Sequence, residues 1–141
     1  TLTAIDAAIA ASEQQHRAEI RCAVETSLSA GDLFRGVSSA MRAAQVFASL
    51  RVWDTAENNG VLLYVLLAER KIEIVADRGF AADVPATVWQ EICAEMAATF
   101  VAGRYEAGVL GAISRINAVA CGHFPAREQD SNELPDRTVL L

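Results

Sequence analysis

The apolar positions of this chain switch between helical and strand spacing, and each switch marks an element. Leu2, Ile5 and Ile9, set among Ala7, Ala8, Ala10 and Ala11, recur at helical spacing and predict a short amphipathic helix. Ser12, Glu13, Gln14, Gln15 and His16 finish it in polar residues, with His16 placed to favour the helix dipole if protonated. From Glu19 to Glu25 the pattern alternates. Ile20, Cys22 and Val24 are expected inward and Arg21 and Glu25 outward, as in a half-covered strand. Residues 28–36 carry two glycines and little periodicity, which predicts a loop. Ser38 or Ser39 caps the next helix, whose stripe is Ala40, Ala43, Ala44, Phe47 and Leu50.

A polar turn, residues 51–60, then runs into Val61-Leu62-Leu63-Tyr64-Val65-Leu66-Leu67, the most apolar run in the chain. An unbroken run of this length predicts a strand buried on both faces. The charged Glu69-Arg70-Lys71 turns the chain, and residues 72–77 return as an antiparallel partner. A fourth segment carries Val88, Trp89, Ile92, Cys93, Met96 and Phe100 on one broad helical face. Asp83 and Thr87 compete to cap it, Pro85 suits its first turn, and Gly103 ends it. A last helix, residues 106–122, places Val109, Ile113, Ile116 and Val119 in its stripe.

The order is helix, strand, helix, two hairpin strands, helix, helix, with no repeat and no internal boundary. It predicts one α/β domain over residues 1–125: a small mixed sheet with helices on both faces, its first two strands joined by a crossover. Residues 126–141 are mostly polar and acidic with Pro135, and are expected to form a mobile tail.

Composition narrows the function. A net charge of −6 and a pI near 4.8 argue against a nucleic-acid partner and favour a cationic guest. No apolar run approaches the ~20 residues of a membrane span, and no signal peptide is visible, so a cytoplasmic location is expected. The chain opens on Thr1, not methionine, and its native start lies open. Cys22, Cys93 and Cys121 are widely spaced among apolar neighbours, and are expected to be reduced and buried.

The candidate chemistry lies at one end of the hairpin. Antiparallel pairing brings Asn58, Asn59 and Gly60 beside Asp77, Arg78 and Gly79, with Asp54 and Glu57 in the same loop. Oxygen donors of this kind suit a hard divalent cation. Asp54, Asn59 and Asp77 are the candidate metal ligands, and Asn58, Asn59 and Arg78 the candidate ligand-binding residues. The alternative is ordinary turn chemistry: Asp54 as a cap, Asn58-Asn59-Gly60 as a left-handed turn, and Asp77 with Arg78 as a surface pair.

Several segments occur in a familiar order: Ser12-Glu13, Glu19-Ile20-Arg21, Phe47 with Leu50, Trp53-Asp54-Thr55, Asn58-Asn59-Gly60-Val61-Leu62, the charged hairpin, Ile72 through Gly79, Trp89, and Gly103 through Gly108. Over about residues 2–125 this set resembles the TPM domain, also called the thylakoid-lumen, photosystem-repair or MOLO-type domain. The resemblance implies a three-layer αβα sandwich. It also implies either a divalent-cation-binding module, holding Ca²⁺ or Mg²⁺ with weak phosphatase-like activity, or a non-catalytic interaction module accessory to a membrane-associated complex. No organic cofactor is implied. Many members carry a Gly-Tyr-Gly-Leu-Glu-like segment where this chain has Asp77-Arg78-Gly79-Phe80-Ala81. The terminal acid is missing, so either Asp77 supplies the carboxylate or the site is inactive.

Overall fold

The computed structural model describes residues 1–128 and 131–141. Its sheet is built on three strands, β1 (Glu19–Glu25), β2 (Gly60–Leu66) and β3 (Lys71–Ala76). β1 runs parallel to β2, Glu19 opposite Gly60 and Glu25 opposite Leu66, while β3 returns antiparallel with Val61 opposite Ala76. A two-residue strand, β4 (Val139–Leu140), adds to the free edge of β1, giving the order β3-β2-β1-β4.

All seven residues of β2 are buried, and its side chains divide by parity between two cores. Val61, Leu63 and Val65 meet α1 (Leu2–Glu13), α4 (Ala86–Val101) and α5 (Tyr105–His123) through Ile5, Ile9, Ile92, Met96, Phe100 and Ile116. Leu62, Tyr64 and Leu66 face the opposite layer, formed by α3 (Ser39–Ser49), Val52 and Leu134. This is the expected αβα sandwich. Each core follows from the strand's period of two, which gives one face to each layer of helices.

Local signals set most boundaries. The Ser38 hydroxyl accepts from Met41 N at 3.1 Å, as a cap should. Gly103, at φ +77°, ends α4 in the left-handed conformation that glycine tolerates. Neither Asp83 nor Thr87 caps α4. Pro85 occupies that position without a side-chain bond. Residues 28–36 are not all loop, because Ser29 caps a short helix, α2 (Ala30–Phe34). In α3 the buried pair is Ala43 and Val46, with Phe47 and Leu50 partly covered and Ala40 and Ala44 exposed.

Other expectations need larger corrections. β1 is covered on both faces, so Arg21 and Glu25 are buried. Glu25 accepts two bonds from the Arg42 guanidinium, both at 2.8 Å, and one from Tyr64 Oη at 2.7 Å. The Arg42 bonds hold its carboxyl below the usual range. Among the cysteines, all free, Cys22 is fully buried while Cys93 and Cys121 are only partly so. Burial pushes the Cys22 thiol up to about 12 and that of Cys93 to about 11.

The expected mobile tail carries a packed face. Residues 129 and 130 of that stretch lie outside the described residues, and residues 131–141 dock on the domain. Leu134 is buried in the second core, and Arg21 donates to the carbonyls of Pro135 at 2.7 Å and Arg137 at 3.2 Å. Asp6 accepts from both the amide and hydroxyl of Thr138, and Leu141 N donates to Val24 O at 2.8 Å. The physical reason is Arg21. A buried guanidinium needs acceptors, and the carbonyls of this segment supply them.

Candidate functional site

The hairpin does bring its two ends together. Asp77 N donates to Gly60 O at 2.9 Å, Gly79 N to Asn58 O at 2.8 Å, and Arg78 Nη2 to Asn58 Oδ1 at 3.2 Å. The approach is close enough to require glycine. A Cβ on Gly79 would stand 2.6 Å from the Glu57 carbonyl oxygen and nearer still to that of Asn58.

Most of the donors and acceptors here are already engaged. Asp54 pairs with Arg51 at 3.0 Å in an exposed position. Asn58 sits at φ +52°, the left-handed turn geometry. Asp77 caps the 3₁₀ turn Arg78–Phe80 by accepting from Arg78 N at 2.7 Å. Asn59 is fully buried, and its Nδ2 donates to Arg17 O while its amide donates to Thr55 Oγ1, each at 3.0 Å. Glu57 takes two bonds from Arg17, which draw its carboxyl below the ordinary range. Two acceptors remain without a partner: Asn59 Oδ1 and Asp77 Oδ2.

A cavity of about 400 Å³ opens beside Asp77, walled by Phe80, Val84 and Trp89, with exposed Ala81 on its rim. Asp77 is the one titratable residue of that wall, and Asn59 does not reach it. Among the described residues, no three His, Cys, Asp or Glu side chains are placed to hold a metal ion together. Of the predicted residues, Asn58, Asn59, Asp77 and Arg78 thus gather at one end of the sheet, while Asp54 is paired with Arg51.

A second polar cavity, of about 390 Å³, lies between the end of α1, the start of β1 and the C-terminal segment. Its wall includes Glu13, His16, Glu19, Asn132 and Asp136. Glu13 Oε1 accepts from Ile20 N at 2.7 Å and Glu19 Oε1 from Glu133 N at 2.8 Å. Burial and a hydrogen bond to Asp136 push the Glu13 carboxyl up to about 10. Burial, opposed by amides of Glu133 and Leu134, leaves Glu19 raised to about 6. His16 is buried, its Nε2 2.9 Å from Ser12 Oγ, and burial lowers its pKa. It therefore stays neutral near pH 7 and does not serve the helix dipole. Sequence reading missed this cluster because Asp136 comes from the stretch expected to be unpacked. The available signal was the run Glu19, Arg21, Glu25 on one strand face, which needs a polar cover if buried.

A third cavity, of about 280 Å³, lies at the opposite end of the parallel strands and is lined mainly by carbon. Val24 and Val65 form its floor, with Leu2, Leu67, Phe100 and Tyr105 around it.

Known proteins agree with this architecture. The family model of the TPM domain matches residues 1–119. The chain is similar to the BA42 protein of the psychrophilic bacterium Bizionia argentinensis, solved by NMR, with 27% identity and a TM-score of 0.84 over 99% of this chain and 91% of that one. The N-terminal domain of a P. gingivalis protein, also an NMR structure, shares the fold at 16% identity and a TM-score of 0.71, covering 90% of this chain and 79% of that one. No curated protein matches.

The carboxyl cluster has a pH signature. Because the Glu13 pKa is raised in the folded state, its contribution is fully present below the unfolded value of 4.5 and is lost as pH rises toward about 10. Thermal melting across that window should show stability falling with pH, at up to about 1.4 kcal/mol per pH unit. Glu13→Gln keeps the acceptor for Ile20 and offers Asp136 an N–H, so its profile should be flatter. An unchanged slope in Glu13→Gln would contradict this assignment.

Proposed function

From the premise that the chain belongs to the TPM-domain family, we propose that it is a non-catalytic docking module, accessory to a larger assembly, whose partner inserts an apolar segment into the groove at the carboxyl ends of β1 and β2. One observation carries this reading: the groove. Leu2, Leu67 and Tyr105 each keep more than a third of their surface in solvent around a floor of Val24, Val65 and Phe100. A wetted apolar concavity of this kind marks a binding surface. The crevice at the carboxyl ends of strands is also where α/β sheets characteristically hold ligands. No helix of the described residues is long and apolar enough to cross a membrane.

The experiment is site-specific photo-crosslinking in the cells of origin, with the crosslinker replacing Leu67. A discrete adduct should form, and Leu2→Asp at the groove rim should suppress it. No adduct, or the same adducts from a crosslinker at Ala81 on the opposite end of the sheet, would refute the groove as the docking surface.

A divalent-cation reading is favoured by a different observation, the buried and unpartnered oxygens Asn59 Oδ1 and Asp77 Oδ2. A Ca²⁺ or Mg²⁺ ion beside Asp77 would take one of them, with water completing its shell. Weak phosphatase-like activity is attached to this reading, the ion polarising a phosphoryl oxygen. At a hundredfold excess over Kd, either ion should stabilise the domain by about 2.7 kcal/mol. That should raise Tm by several degrees, and Asp77→Asn should abolish the shift. An unchanged Tm with both ions ends the reading.

A further inference from the structure

The groove is one part of a larger apolar surface at the carboxyl ends of β1 and β2. Among the described residues, ten large apolar side chains keep more than a third of their surface in solvent. Nine of them lie at this end of the molecule, and only Trp53 lies at the other. Leu2, Leu67 and Tyr105 rim the groove, and Val101 ends α4 beside it. Phe34 is the extreme case at 94% exposed, with Leu33 next to it at 56%. Apolar side chains concentrated in this way mark an interaction surface.

The core does not explain α2, which carries Leu33 and Phe34 and buries none of its residues. Yet both of its ends are fixed. Ser29 Oγ accepts from Asp32 N at 3.1 Å at the start. At the finish, Gly36 N donates to Leu33 O at 3.2 Å and Val37 N to Asp32 O at 3.0 Å. These are the two bonds of a Schellman close, with Gly36 left-handed at φ +70°. A helix held at both ends presents its two apolar side chains in one conformation, which lowers the cost of inserting them into a partner.

We propose that the segment filling the groove is α2 of a second copy of this chain, with Phe34 of each copy seated in the groove of the other. The proposal rests on the docking reading of the groove and names its occupant. Three observations favour a second copy. The protruding helix and the groove share one end of one chain, so a single two-fold axis closes both contacts and leaves neither open. Size and chemistry also match: an apolar cavity of about 150 Å³ holds a benzene ring, and the groove measures about 280 Å³. Phe100 and Tyr105, whose rings meet edge to face at 4.8 Å, give it an aromatic wall.

The third observation is charge. At this end Glu25 pairs with Arg42 and Asp32 with Arg35. Beyond these pairs, Glu69, Glu73 and Glu106 stand against Arg70, Lys71 and Arg104. The surface is thus balanced, in a chain whose net charge is −6. Two copies meet there without the repulsion that their acidic faces would bring. A balanced surface also lacks the excess of cations that an anionic bilayer attracts.

Sedimentation velocity of the whole purified chain, from micromolar to hundreds of micromolar, should show a reversible monomer–dimer equilibrium. Phe34→Ser should weaken it roughly tenfold or more, as loss of a buried aromatic anchor does. Its melting in dilute solution should be unchanged, since Phe34 supports no core. Leu2→Asp, on the groove side, should weaken association similarly. A mixture of the two variants should associate better than either alone, because one intact Phe34 then meets one intact groove. A photo-crosslinker at Leu67 of the purified chain should give a dimer joined at or beside Phe34.

A chain monomeric throughout, assembly that grows beyond the dimer, undiminished association of Phe34→Ser, or a mixture no better than its components would overturn the proposal. So would a monomer that floats with phosphatidylglycerol vesicles, which would assign this end to a lipid surface. If the purified chain is monomeric while the Leu67 crosslinker still captures a protein in cells, the second copy falls and the groove stands. If neither setting gives an adduct, both fall.

Discussion

β2 has no exposed residue, and the rest of the molecule answers that constraint. A strand with two apolar faces needs a layer of helices on each, and its two edges need partners for every backbone group. β1 and β3 supply the edges. α1, α4 and α5 cover one face, and α3 with the C-terminal segment covers the other. Burying a residue such as Leu62 or Leu63 contributes about 2 kcal/mol, so the six side chains from Val61 to Leu66 outweigh any surface pair in the chain.

That burial moves the polar problem to the strand ends, where Asn59 takes it up. Its side chain bonds Arg17 O, and its carbonyl accepts from Glu19 N at 3.3 Å, so one residue ties the start of β2 to the start of β1. Gly60 and Gly79 make the same junction sterically possible, and Asp77 and Asn58 complete its turns. These residues, which read in the sequence as a binding loop, mostly hold the fold. A loop that spends its hydrogen bonds on its own backbone has few left for a ligand, which is why the docking reading is placed at the opposite end of the strands.

The fold was legible because its signals are periodic. The apolar run 61–67 reads as a doubly covered strand, the alternation of Ile20, Cys22 and Val24 reads as a second strand able to pair with it through a crossover, and the short charged turn at 69–71 points to an antiparallel return. Tertiary context was not legible. Arg21 and Glu25 fit an exposed strand face by pattern, yet both are buried, because Arg42, Tyr64 and the C-terminal carbonyls give them partners. Only those long-range contacts distinguish a solvated charge from a satisfied one. The same gap hid the acidic cavity, since Asp136 has no local signal that would place it against Glu13. The hairpin geometry correctly gathered Asn58, Asn59, Asp77 and Arg78, but spacing could not show that their oxygens were mostly already in use.

Most depends on the C-terminal segment, which completes the sheet, covers Arg21 and carries Asp136 to the acidic cavity. Native-state hydrogen exchange tests this directly, through the amides of Glu133, Thr138 and Leu141, which donate to Glu19, Asp6 and Val24. If the segment is part of the folded unit, these amides exchange as slowly as those of β1, with opening free energies near that of global unfolding. Exchange of all three at the rate of an unstructured peptide would contradict that role and leave the acidic cavity without its third wall.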